Sequence, residues 1–467
     1  MSKWKFAARF KQSVPFRPLF NIGSLFDIQT GKYFKGQRGE SILNGGVAQV
    51  EGVTGIGNSY KSTIMHYRQL QVMNRYQEAT GFTYDTENSS TLARYIDLAN
   101  MIDPTGELAS TLEMDVGRFS LTSAEVYDGT KWFHELREMC ADREKNDKKV
   151  PTPFIDNDGN PILWFTPNIG EIDSLSMFRS ASVQKKVDKG DIGESELNTM
   201  YMNSGSAKSQ LVDELPILTG RSGVCLLLSA HMGDIIVMDQ YNGPAKKLAG
   251  IKANRKMKKV PENFTFLTNN LFEITKTTPL LNKTTGASEF PVNADDDLKG
   301  NTDLMIATVM PQRTKYGCTG IPFELIISQS KGVQPTLSEF WYCKNHDRYG
   351  IGGNLIHMEL DLYPGVKFTR QSIRNLINKD PKFCRAMQIT SDLRQMKSLW
   401  PEYAHEKITF TPSELLTKIR ELGYDWDEFL STRTYWTFDQ YTNPVKFLST
   451  EDIINIYRGE YKPYWKS

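Results

Sequence analysis

The segment Glu51-Gly-Val-Thr-Gly55-Ile-Gly57-Asn-Ser-Tyr60-Lys61-Ser62-Thr63 constrains this chain more than any other. A short apolar run at 47–51 precedes it and a helical pattern at 62–77 follows, so it joins a strand to a helix. Backbone N–H groups of a glycine-containing turn in that setting form an anion nest, and the positive end of the helix reinforces it. The segment departs from G-x-x-x-x-G-K-[ST] at one position, where Tyr60 stands in place of the second glycine. A register begun at Gly52 restores a glycine at Gly57 but sets Asn58 where the lysine belongs, so the Gly55 register is kept. In that register Gly55, Ile56, Gly57, Asn58, Ser59, Tyr60, Lys61, Ser62 and Thr63 cradle a nucleotide. Lys61 would then reach the β- and γ-phosphates of a bound ATP, and Ser62 would ligate Mg²⁺.

The surrounding pattern supports an α/β sheet. Short apolar runs at 82–85, 162–172 and 224–229 alternate with helical stretches at 91–101, 123–144 and 206–218, the rhythm of βαβ units. Segments 270–275, 304–309 and 323–328 read as strands joined by hairpins, so the sheet is expected to end antiparallel. A polar insertion at 145–160, with its Asp156-Asn-Asp158-Gly159-Asn160 stretch, reads as a turn.

Three strand ends carry chemistry. Tyr84-Asp85-Thr86-Glu87 offers two carboxylates, of which Glu87 is suited to polarise an attacking water as general base; the plainer reading is a solvated turn. Ile172-Asp173-Ser174 ends an apolar run with an Asp suited to hold Mg²⁺ through water, although Asp and Ser also serve as helix N-caps. Ala230-His231 ends a fully apolar strand with a polar sensor.

Charge and cysteine content narrow the class. With 56 Lys+Arg against 55 Asp+Glu in 467 residues, affinity for nucleic acid must come from local patches and not from the overall field. The five cysteines are odd in number and widely spaced, which fits reduced thiols. Cys343 and His346 stand at zinc-ligand spacing without a second pair. The opening Met-Ser-Lys-Trp-Lys has no apolar signal region and no long apolar run follows, so a cytoplasmic protein without membrane contact is expected.

Order, spacing and chemistry together resemble the RecA-type recombinase family, most closely the T4-like phage strand-exchange recombinases. In that branch the phosphate loop also carries an aromatic residue before its lysine, as Tyr60 does here. The likeness covers about 40–340 and includes the Tyr84–Glu87 segment, Asp173 and His231; Ala230 departs from the phage Asn-His pair. It implies a RecA-like P-loop ATPase core with a mixed, mainly parallel sheet at 31–345. An N-terminal polymerisation arm at 1–30 and a smaller C-terminal α+β domain at 346–467, of unknown role, would flank it. It further implies catalytic roles for Glu87, Lys61 and His231, adenine contact by Arg94, and Mg²⁺ on Ser62 and Asp173. Arg313 and Lys315 would act on a neighbour's nucleotide.

Two DNA-facing loops are implied as well. The first would carry Lys185, Lys186 and Lys189. The second would carry Tyr241, Lys246, Lys247, Lys252, Arg255, Lys256, Lys258 and Lys259, with no acidic residue from 246 to 259. The expected activity is a DNA-dependent ATPase that forms helical filaments on single-stranded DNA and exchanges strands with homologous duplex DNA. Single-strand-binding and loader proteins are the further partners expected. A ring-shaped helicase of the same superfamily, and a non-catalytic nucleotide-binding DNA-coating scaffold, remain the alternatives.

Overall fold

The computed structural model describes residues 16–113, 117–181, 183, 196–234, 255–292 and 299–466, with the backbone alone for 196–203. Helix α1 (Ser24–Thr30) and the hairpin β1 (Lys32–Lys35)–β2 (Ser41–Asn44) lead into β3 (Val50–Gly55), every residue of which is buried. A strand buried on both faces needs apolar or paired side chains throughout, which is why it reads as a continuous run. The phosphate-loop segment follows, and helix α2 (Lys61–Arg75) is buried all round over Ile64–Met73, including Ile64, Met65, Leu70, Val72 and Met73.

The chain continues through β4 (Thr80–Asp85), α3 (Leu92–Ile102), β5 (Phe119–Ser123) and α4 (Gly129–Asn146). Helix α4 starts later than its periodicity predicts because the Asp128 carboxylate accepts the N–H groups of Thr130 and Lys131 and caps it there. The polar insertion is the turn of a hairpin, β6 (Val150–Ile155) with β7 (Pro161–Trp164), in which Asp156 accepts from the N–H groups of Asp158 and Asn160. Next come β8 (Asn168–Asp173), α5 (Glu196–Ser222), β9 (Val224–Asp234) and β10 (Arg255–Met257). Strands β11 (Asn270–Pro279), β12 (Leu304–Thr314), β13 (Phe323–Ser328) and β14 (Gly332–Val333) complete the main sheet.

That sheet runs β14-β13-β12-β11-β3-β9-β8-β4-β5, with β10 paired to β9. From β11 to β5 every pairing is parallel; from β11 to β14 every pairing is antiparallel. The fold is therefore α/β with a mixed, mainly parallel sheet that ends antiparallel, as the sequence pattern leads one to expect. Parallel order gathers the C-terminal ends of β3, β4, β8 and β9 along one edge, where ligands of open α/β sheets bind.

The C-terminal residues form a three-stranded antiparallel sheet (Ile351–Gly353, Met358–Leu360, Tyr363–Phe368) and helices α6 (Pro381–Leu399), α7 (Pro412–Glu421) and α8 (Thr450–Tyr457). They share one hydrophobic cluster with Phe20, Ile22 and α2. Trp436 is fully buried against Phe20 and Tyr76 and donates its indole N–H to the Leu19 carbonyl at 3.0 Å. The Ser24 hydroxyl donates to Asp392 at 2.5 Å, and the Ser41 N–H to Asp452 at 2.7 Å. Of the arm expected at 1–30, residues 1–15 lie outside the described residues, while α1 is buried throughout. No helix among the described residues is long and apolar enough to cross a membrane.

Candidate nucleotide site

Residues 55–60 leave β3 as a tight turn. A Cβ on Gly55 would collide with the Ser59 hydroxyl and displace it from the turn it closes. The Ser59 hydroxyl donates to the Ile56 carbonyl at 2.7 Å and closes the turn. Tyr60, the residue that replaces the expected glycine, is left-handed (φ 63°, ψ 23°), as is Asn58 (φ 55°). The tyrosine therefore adopts the backbone conformation that a glycine takes without strain. Among the described residues, the backbone N–H groups of 57–60 make no close hydrogen bond, as an anion nest requires.

Lys61 is 6% exposed, and its ammonium donates to the Ile56 carbonyl at 2.7 Å. Burial draws its pKa below the usual lysine value, while the nearby Asp173 and Glu87 carboxylates oppose that shift. A phosphate in the nest would offer this ammonium a charged acceptor in place of a neutral carbonyl.

The ends of β4 and β8 are laced together. The Thr86 N–H donates to the Asp173 carbonyl at 2.7 Å; its hydroxyl donates to the Ser174 carbonyl at 2.8 Å and accepts the Ser174 N–H at 2.6 Å. Asp85 faces back into its own turn, accepting the N–H groups of Glu87, Ser89 and Ser90. Glu87 then stands with Oε1 2.7 Å from the Ser174 hydroxyl and 2.6 Å from His231 Nε2. Facing a carboxylate, that ring nitrogen carries the hydrogen. Register explains why His231 is present, since it pairs with Gly55 across β3 and β9. A cleft of about 830 Å³, lined by Tyr84, Thr86, Glu87, Val126, Arg179 and His231, opens beside the pair.

Asp173 is 2% exposed and accepts the Ser229 hydroxyl at 2.5 Å. Residues after it form a turn in place of a capped helix, which frees Ser174 for Glu87. Half-buried Ser62 and Asp173 are hard oxygen donors, a set that suits Mg²⁺.

Beneath the loop lie charges that sequence reasoning missed. Glu51 of β3 and Arg68 of α2 form an ion pair with no exposed side-chain surface, with Asn270 donating to the same carboxylate at 2.5 Å. Phe26 and Phe272 flank the guanidinium at 5.0 Å each. Burial raises Glu51 and lowers Arg68, and each opposes the shift in the other. His66 of α2 lies 2.8 Å from Glu171 of β8, and the Tyr95 hydroxyl of α3 reaches both. Burial pushes Glu171 up; it pulls His66 down, but the Glu171 carboxylate more than reverses that. These groups bolt the phosphate-loop helix to β3 and to the strand that carries Asp173. The signal available was a charged residue at an interior position of an apolar strand, at Glu51 and again at Glu171.

Lys61, Ser62, Glu87, Asp173 and His231 thus lie along one sheet edge. Arg94 is held by the Gln329 and Ser330 carbonyls at 3.0 and 2.6 Å. Arg313 pairs with Leu271 at the start of β11, whereas Gly55 pairs with Ile274 further along that strand. Arg313 and the exposed Lys315 therefore sit toward the sheet edge opposite the loop, near Arg17.

Of the basic residues read as DNA contacts, Lys185, Lys186, Lys189, Tyr241, Lys246, Lys247 and Lys252 lie outside the described residues. Lys256, Lys258 and Lys259 are exposed at and beyond β10, while Arg255 is turned to Glu273 at 3.1 Å.

No family model matches the chain, and no curated protein matches it. Among solved structures it is similar to the crystal structure of the RadB recombinase, at 13% sequence identity and a TM-score of 0.33. That alignment covers 62% of this chain and 92% of the other.

Proposed function

We propose that this protein is a DNA-dependent ATPase of the RecA type, which assembles head to tail on single-stranded DNA and drives pairing and strand exchange with homologous duplex DNA. The observation that carries the reading is the convergence of the loop with unpaired N–H groups, Lys61, Asp173 and the Glu87–His231 pair at adjacent parallel strand ends. A phosphate chain in the nest draws Lys61 off the Ile56 carbonyl. Glu87, oriented by Ser174 and His231, accepts a hydrogen bond from the attacking water and aligns it. Ser62 and Asp173 would hold Mg²⁺, which would supply charge neutralisation at the phosphates. His231 touches Glu87 from the strand that leads toward the basic segment, so nucleotide state and DNA grip share one element.

Arg313 and Lys315, remote from their own loop, are assigned to the nucleotide of the adjoining copy. Contacts of that head-to-tail kind give a helix when the rotation does not close. Exposed Lys256, Lys258 and Lys259 neutralise DNA phosphates, and the adenine contact of Arg94 completes the set. A strand-exchange enzyme of the T4-like phage kind acts in the host cytoplasm beside single-strand-binding and loader proteins.

Negative-stain microscopy with single-stranded DNA and a non-hydrolysable ATP analogue tests the reading. Nucleotide-dependent helical filaments, lost in Arg313→Ala/Lys315→Ala, are expected. Closed rings favour the helicase instead, and coating that ignores nucleotide favours the scaffold.

A further inference from the structure

Helix α5 carries a lysine that the proposed chemistry does not use. Lys208 is 4% exposed, and its ammonium donates to two backbone carbonyls, Ser176 at 3.0 Å and Lys259 at 3.0 Å. The first lies in the turn after Asp173. The second lies at the foot of β10, where the strand pairing with β9 ends.

The first anchor residue, Ser176, touches His231 itself, and the second, Lys259, adjoins Lys258, which does. The Ser176 hydroxyl accepts the His231 N–H at 2.9 Å, and the Lys258 N–H donates to the His231 carbonyl at 2.8 Å. One ammonium therefore holds, each at one remove, the two backbone bonds that set the height of His231 over Glu87. Asn263 reinforces the junction, donating to the Ser209 carbonyl and to Asp213 of α5 at 3.2 and 2.7 Å.

A buried ammonium between two neutral carbonyls is a poor device for stability, because among the described residues no counter-charge offsets its desolvation. The charges that act on Lys208 are Lys259 and Arg179, both cationic, and with burial they bring its pKa down to about 8. An apolar side chain of the same length would pack here without that penalty. What the lysine adds is connectivity. Segment 184–195 runs into α5, and segment 235–254 runs into β10; these are the two stretches read as carrying DNA contacts.

We propose that Lys208 is a positioning residue that couples those two stretches to the Glu87–His231 pair, so that DNA engagement is felt at the hydrolytic centre. It touches neither nucleotide nor DNA and acts through the Ser176 and Lys259 carbonyls. The inference rests on the DNA-dependent ATPase reading.

The test measures ATP turnover of the full chain with and without single-stranded DNA, with the affinity for a fluorescent ATP analogue read in parallel. Lys208→Met keeps the packing and deletes the bonds. It is expected to match the parent in nucleotide affinity, to lose some DNA-free turnover because His231 is less firmly held over Glu87, and beyond that to lose DNA stimulation by about fivefold or more. Lys208→Arg, which can still donate to both carbonyls, is expected to recover part of that stimulation. Were Lys208→Met not to fold, Lys208→Gln decides: its shorter, neutral amide cannot donate to both carbonyls and is expected to lose stimulation in the same way. Full stimulation in a folded Lys208→Met, or in Lys208→Gln, overturns the inference and leaves the ATPase reading intact. So does a fall in DNA-free turnover that equals the fall with DNA. A parent protein with no DNA-stimulated turnover refutes the functional reading itself, and the inference with it.

Discussion

Tyr60 is the position at which the backbone of the loop makes the sharpest demand. An ordinary residue pays about 1–2 kcal/mol to adopt the left-handed conformation seen there (φ 63°, ψ 23°), and glycine does not. Replacing the tyrosine by glycine alone mixes this term with the packing its ring makes on the main cluster. The clean comparison is Tyr60→Gly against Tyr60→Ala, since both lose the ring and they differ by one methyl group. At most positions alanine is the more stable of the two by about 0.5–1 kcal/mol, through the lower entropy of its unfolded chain. Here the left-handed strain outweighs that advantage, so Tyr60→Gly should be more stable by about 0.5–1 kcal/mol. With a urea m-value near 3 kcal/mol/M, the midpoints would differ by roughly 0.2–0.3 M. Urea unfolding followed by tryptophan fluorescence reads this directly, and titration with an ATP analogue should rank the two variants in the same order. Equal midpoints, or a more stable Tyr60→Ala, would mean that the loop does not turn left-handed at Tyr60, and the Gly55 register would fall with it.

Other perturbations follow from the same geometry. Arg68→Met strands Glu51 in a fully buried site and should cost about 3–5 kcal/mol of unfolding free energy, whereas Arg68→Met with Glu51→Gln should regain most of it. Burial pushes Asp452 from 3.8 up to about 8, so the unfolded chain loses that proton first and stability falls as pH climbs from about 4 to about 8, then levels. At 1.36 kcal/mol per unit the contribution is on the order of 5 kcal/mol, and Asp452→Asn should lose less stability across that range in urea titrations at stepped pH. Thr86→Val removes the hydroxyl that bridges to Ser174, and kcat for ATP should drop about tenfold with KM little changed; a rise in KM alone would show that Thr86 supports binding and not alignment.

Much of the site was legible because its chemistry sits at strand ends, where a change from apolar to polar residues marks the boundary. Gly55, Asp173 and His231 each end such a run, and Lys61 opens the helix that follows the first. The α/β class was legible for the same reason, since strands buried on both faces read as unbroken apolar segments. Tyr60 looked like a departure in residue type, but a sequence does not display φ, and the departure concerns the side chain only. The roles of Thr86, Ser174 and Ser229 escaped notice because a hydroxyl that links two strand ends resembles any serine or threonine in a turn until the strands are adjacent. Glu51–Arg68 and His66–Glu171–Tyr95 escaped because their partners lie on different elements and no local period joins them. The contacts of Asp392, Trp436 and Asp452 with residues 19–41 span hundreds of positions, and composition beyond residue 350 carries no trace of them.

Steady-state ATP hydrolysis by the parent protein and Glu87→Gln, each with and without single-stranded DNA at fixed low salt, tests the central claim most directly. The parent should turn over ATP faster with DNA, and Glu87→Gln should still bind nucleotide while losing about a hundredfold or more in turnover, as expected when an aligned general base is removed. Lys61→Ala should lose binding and turnover together. Turnover in Glu87→Gln at the parent's rate would contradict the account, because the carboxylate that His231 and Ser174 hold would then have no part in the reaction.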